Sequence, residues 1–137
     1  GGEAAIGPLI KALSDPYRPV VEAATTALGR IGDTAASGPL IEKLEETPRQ
    51  VGSVRAALVE ALGSIGGEAA IGSLIKTLSD PYRPLVEAAA TALGRIGNTA
   101  AIGPLIEKLE ETPRLVGSAR VAVIEALGSI GGEAAIG

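Results

Sequence analysis

The chain has 137 residues, with 12 Lys or Arg against 16 Asp or Glu and no His, Cys, Met, Trp or Phe. Without His or Cys there is no Ser-His-Asp or Cys-His catalysis, no HExxH zinc site and no thiolate-held cluster, so no catalytic residue, metal site or cofactor is expected. A net charge of −4 argues against nucleic acid. Mean hydropathy is +0.33, yet no apolar run nears the roughly 20 residues of a membrane span. A soluble chain of unassigned compartment is expected, with no small-molecule substrate.

The first predicted element, near 3–14, carries Leu9, Ile10 and Leu13 on one face of a 3.6-residue period. We call it helix A. After a turn containing Pro16, helix B near 19–31 repeats Val20, Ala23, Ala24, Ala27, Leu28 and Ile31 at three and four. Gly32 suits a left-handed C-cap and Asp33 an N-cap, opening the next helix A near 34–46. A longer connection, Glu46 to Gly52, leads to helix B near 53–65. The same series then returns, with helix A near 68–79 and 99–111 and helix B near 84–96 and 118–130. No sustained alternation of period two competes with this all-α reading.

The return is a true internal repeat. Residues 2–66 align without gaps on 67–131, a period of 65 with only 11 differing positions, so the two units must fold alike. Within each unit Ala-Leu-Gly-x-Ile-Gly recurs at alternating spacings of 34 and 31, which gives subrepeats of about 1–31, 32–65, 66–96 and 97–130, with a partial one at 131–137. One helical pair buries too little to stand alone, so stacking is required. The fold class predicted is an α-solenoid of four stacked helical hairpins, two 65-residue double repeats, plus the start of a fifth.

Val54-Arg55-Ala56-Ala57 running into Ala61-Leu62-Gly63-Ser64-Ile65-Gly66, with helix A openings such as Pro39-Leu40-Ile41-Glu42-Lys43-Leu44, resembles the short HEAT-like repeats first named from phycobilisome lyases. The resemblance covers essentially the whole chain. It implies an array that binds other proteins, while some members of that family attach or detach bilin chromophores. It also implies a binding side along one face of helix B. Those positions here are Arg18, Glu22, Thr26 and Arg30; Ser53, Ala56, Glu60 and Ser64; Arg83, Glu87, Thr91 and Arg95; and Ser118, Val121, Glu125 and Ser129. The Arg of the Val-Arg pair is present at Arg55 and Arg120 but replaced by Val21 and Val86 in the odd subrepeats, so an Asp-Arg ladder should be interrupted there.

Other features have two readings each. Tyr17-Arg18 and Tyr82-Arg83 are residue types enriched at binding hot spots, or the rings simply cover the interhelical turn. The long connections 46–52 and 111–117 either meet a partner or cover their own hairpin, and Leu115 in place of Gln50 makes the second one stickier. Gly67-x-x-x-x-Gly72 has the spacing of a phosphate loop but Ser73-Leu74 where Lys and Ser or Thr are needed, so helix punctuation is expected. Glu45-Glu46 and Glu110-Glu111 read as solvated helix ends, with Glu46 paired to Lys43.

The function expected is a non-catalytic scaffold for a protein partner. The alternative is a self-assembling array, because neither end carries a polar capping repeat. In it, Ile6, Leu9 and Leu13 at one end would meet Val123, Leu127 and Ile130 of another copy. A bilin lyase-like subunit is a third reading, disfavoured by the scarcity of aromatic side chains.

Overall fold

A computed structural model of the chain describes residues 3–48, 50–111 and 117–136, without the side chains of 133–136. Its elements are α1 (Glu3–Ala12), α2 (Arg18–Ile31), α3 (Ser37–Glu46), α4 (Gly52–Ile65), α5 (Gly67–Thr77), α6 (Arg83–Ile96), α7 (Ile102–Glu110) and α8 (Ser118–Ile136). Short 3-10 turns at Thr34–Ala36 and Thr99–Ala101 precede α3 and α7. No strand occurs among the described residues. The odd helices are the A helices expected from sequence and the even ones the B helices.

The predicted punctuation operates. Gly32 and Gly97 close α2 and α6 in the left-handed region, at φ 73° and 74°, which a side chain would strain. Asp33 and Asn98 then accept the N–H groups of Ala35 and Ala100 at 2.8 and 2.7 Å. The 3-10 turn splits the helix expected from residue 34. Regular helix begins at Ser37, two residues ahead of Pro39.

Each A helix packs on its B helix, and each B helix on the next: α2 on α4, α4 on α6, α6 on α8. One leucine position recurs through the stack as Leu28, Leu62 and Leu93, each at most 1% exposed. Leu40, Leu58, Leu74, Leu85 and Leu105 fill the space between layers at 0% exposure. Burying each such side chain contributes on the order of 1.5–3 kcal/mol. The backbones of the B row approach closely because small residues face each other. A Cβ on Gly29 would lie 3.1 Å from the Ala61 Cα, one on Gly94 3.0 Å from the Ala126 Cα, and one on Gly63 2.6 Å from the Ala92 Cβ.

Two expectations are corrected. The start of a fifth subrepeat does not turn away from α8. At Gly66 and Gly67 positive φ values of 71° and 84° turn the chain into α5, which then packs on α3 and α4. At Gly131 and Gly132 α8 runs on in regular helix to Ile136. The second correction concerns the stacking residues. Val123 and Ile130 are 0% exposed, Leu13 3% and Ile6 9%, all held inside their own layers, while Leu9 and Leu127 are half-buried. A helix in a solenoid has one apolar stripe towards its own hairpin and the preceding layer and a second towards the following layer. Val123 and Ile130, with Ala119, Ala122 and Ala126, belong to the first stripe, which packs on α6 and α7. The large apolar side chains that α8 leaves exposed are Val121 and Ile124, at 54% and 49%, and α7 leaves Ile106 at 41%.

Candidate protein-binding face

The B helices form a continuous row. The A helices meet one another less, chiefly where α3 lies on α5. In a solenoid the more closely packed row is expected on the inner side of any curvature, which here is the B row. All sixteen positions of the binding face inferred from sequence lie on this row. Glu22, Ala56 and Glu87 are half-buried, and the other thirteen are exposed.

Side chains from successive helices are cross-linked across the face. Ser53 donates to Glu22 at 3.4 Å and Ser118 to Glu87 at 2.6 Å, the same step taken 65 residues apart. Arg95 donates through Nη2 to the Ser64 hydroxyl at 3.4 Å, and Ser64 itself donates to the Glu60 carbonyl at 3.2 Å. Ser129 donates to the Gly94 carbonyl at 3.4 Å. Four of these five contacts join side chains of one B helix to the neighbouring B helix, the exception being the Ser64 to Glu60 bond within α4.

Two shallow hollows lie between the cross-links. One, of about 220 Å³, is floored by Gly29, Ala57 and Ala61 and walled by Thr26, Arg30, Glu60, Ser64 and Arg95. The other, of about 280 Å³, is lined by Ala56, Glu60, Pro84, Glu87, Ala88, Thr91, Ala92 and Arg95. The face carries Arg18, Arg30, Arg83 and Arg95 against Glu22, Glu60, Glu87 and Glu125, so it is neutral and the whole excess of −4 lies elsewhere on the chain. A mixed, patterned face selects by register rather than by bulk attraction.

Tyr17 and Tyr82 stand at the N-termini of α2 and α6, 65% and 47% exposed. The Tyr82 ring reaches back over Gly52, where a Cβ would sit 3.4 Å from its Cε2. The connection at 47–51 borders a hollow of about 270 Å³ shared with Asp15, Pro16, Arg18 and Val21. Its counterpart is centred on 112–116, so Leu115 lies outside the described residues.

The ladder anticipated at the Val-Arg positions has one described rung. Arg55 Nη2 donates to Asp80 Oδ2 at 2.6 Å, both side chains 10% exposed, while Arg55 Nε and Nη1 are buried without a partner. Asp80 Oδ1 accepts the Tyr82 N–H at 2.9 Å. Val21 and Val86 are buried at the odd positions. The paired glutamates are engaged by lysines: Glu46 by Lys43 at 3.5 Å, Glu45 by Lys76 at 3.4 Å and Glu111 by Lys108 at 3.1 Å. Gly67 starts α5 and Gly72 lies within it, so that glycine pair serves a helix. No described helix is long and apolar enough to cross a membrane.

Sequence reasoning missed Ile106 and Ile124. Their counterparts in the internal even layer are Ile41, half-buried, and Val59, fully buried, a difference that the sequence pattern alone does not carry.

Among known proteins, the profile of HEAT repeats matches residues 39–120 and that of the PBS lyase HEAT-like repeat residues 20–46. No curated protein matches by sequence. The complex of CpcE and CpcF of phycocyanin lyase from Nostoc sp. PCC7120 contains a chain that superposes with a TM-score of 0.76 at 29% identity, over 96% of this chain and 55% of that one. The present chain thus spans about half the length of that relative. A designed armadillo repeat protein in complex with the peptide (KR)4 superposes with a TM-score of 0.69 at 22% identity, over 93% of this chain and 64% of that one.

Proposed function

The chain belongs to the HEAT repeat family, and from that premise we propose that it is a non-catalytic scaffold holding an extended polypeptide partner along the inner face of its B helices. The observation that carries this reading is the cross-linked, charge-neutral row on α2, α4, α6 and α8, with two hollows between successive B helices. Arg95 and Glu60 line both hollows and would fix the partner's register through charge-assisted bonds. Tyr17 and Tyr82 would contribute apolar area at the rim.

The test is a selection of peptides on the folded chain followed by calorimetry. A selected peptide should bind at least about tenfold more weakly to the double variant Glu60→Lys and Arg95→Glu, with unchanged helical content. Equal affinity for the variant would remove the face from consideration.

Likeness to a phycocyanin lyase subunit supports a second reading, in which the chain handles a bilin. Against it stand the polar and small linings of both inner hollows. A red shift of a free bilin's absorption on adding the chain would favour that reading over the scaffold. A third reading, self-association, is supported by the exposed apolar side chains of Val121, Ile124 and Ile106.

A further inference from the structure

We propose that the outer face of α7 and α8 docks the outer face of α1 and α2 of a second copy of this chain, in the register of the chain's own α4–α6 junction. The inference deepens the self-association reading and is independent of the peptide-binding one.

The α4–α6 junction supplies the template. There Gly63 lies against Ala92, Arg55 pairs with Asp80, and Glu45 pairs with Lys76. All six residues recur one period away, and each pair is divided between the two ends of the molecule. Gly128, Arg120 and Glu110 are on the α7–α8 side, and Ala27, Asp15 and Lys11 on the α1–α2 side. The divided pairs are poised alike. Gly128 has nothing within 4 Å of where a Cβ would sit. Asp15 Oδ1 accepts the Tyr17 N–H at 2.8 Å, as Asp80 Oδ1 accepts that of Tyr82, which leaves Oδ2 in the role that at Asp80 takes the guanidinium.

Equivalent positions measure the uncovered surface. Val59 is 0% exposed under α6, and its counterpart Ile124 is 49% exposed; Leu74 and Leu85 are 0% exposed, and their counterparts Leu9 and Val20 are only half-buried. The substitutions between units also compensate. Val59 on α4 and Leu85 on α6 correspond to Ile124 on α8 and Val20 on α2, an exchange that keeps the combined side-chain volume. In this register α1 of the incoming copy takes the place that α5 holds on α3 and α4. The contact is heterologous, so repetition extends a filament or closes a ring.

Sedimentation of the 137-residue chain over a wide concentration range tests this, beside three variants checked for helical content. Gly128→Leu fills open space in the monomer but would drive a side chain into Ala27 of the second copy, and should weaken association at least about tenfold. Arg120→Glu and Asp15→Arg should each abolish assembly alone by placing like charges together. Mixed in equal amounts they restore opposite charges at every junction, and assembly should return. A wild-type chain that stays monomeric overturns both the docking and the self-association reading. Assembly that survives Gly128→Leu, or charge variants that fail to complement one another, overturns this register and leaves self-association through another surface. Peptide binding by Gly128→Leu, measured separately, reports on the inner face alone.

Discussion

Gly63 and Gly128 occupy the same position of the repeat, but one is covered by α6 and the other faces open space. Replacing each by Ala separates backbone propensity from packing. In a helix interior the exchange gains about 0.5–1 kcal/mol, and this gain is common to both sites. At Gly63 the added Cβ would sit 2.6 Å from the Ala92 Cβ and 3.3 Å from its Cα, against the ~3.5–4.0 Å at which carbon atoms attract. The clash is with a helix rather than with a flexible side-chain tip, so α4 and α6 must part by about 1 Å along their shared length. Overpacking of this kind costs about 1–3 kcal/mol. Gly128→Ala should therefore stabilise by about 0.5–1 kcal/mol, and Gly63→Ala should fall below it by about 1–3 kcal/mol. Urea titrations followed by circular dichroism, in solutions dilute enough to hold monomer, give both values, and an unchanged m confirms that the unfolding unit is the same. Equal stability of the two variants would refute the close approach of α4 and α6.

Asp80→Asn should destabilise by about 3 kcal/mol, because it strips the counter-charge from a buried guanidinium that already has two unpartnered nitrogens. Lys76→Ala, which removes a pair whose side chains are 79% and 59% exposed, should change stability by less than about 1 kcal/mol in the same titration. Asp33→Ala and Asn98→Ala should each lose about 1 kcal/mol through their capping bonds, read as a lower urea midpoint. Val59→Glu should prevent cooperative folding while Ile124→Glu leaves the helical spectrum intact, and equal damage by both would contradict the exposure difference between them.

The hairpins were legible because each boundary is written locally. Gly32 needs the left-handed region, Asp33 and Asn98 cap the 3-10 turns that lead into α3 and α7, and Ala-Leu-Gly-x-Ile-Gly marks every helix B. The stripe read from sequence as a binding side does lie on the B row, and it is polar except at Ala56 and Val121. What stayed hidden was the difference between two apolar stripes of one helix. Val123 and Ile124 are neighbours of nearly equal hydrophobicity, and period alone does not say which looks back at α6 and which looks onward. Nor does a local signal distinguish Gly66-Gly67, which turns, from Gly131-Gly132, which does not. The glycines permit both conformations, and tertiary contacts made by the next helix select between them.

The two rows of the stack also differ as mechanical elements. Along the B row, backbone meets backbone at Gly29 on Ala61, Gly63 on Ala92 and Gly94 on Ala126, with no long side chain in between to compress. Along the A row the helices touch less, and exposed pairs such as Lys76 with Glu45 bridge them. Close backbone contact makes the first row the stiffer of the two, and the looser second row the one expected to yield under load. A change of curvature would therefore be taken up between the A helices, with the spacing of the side chains along the B row held.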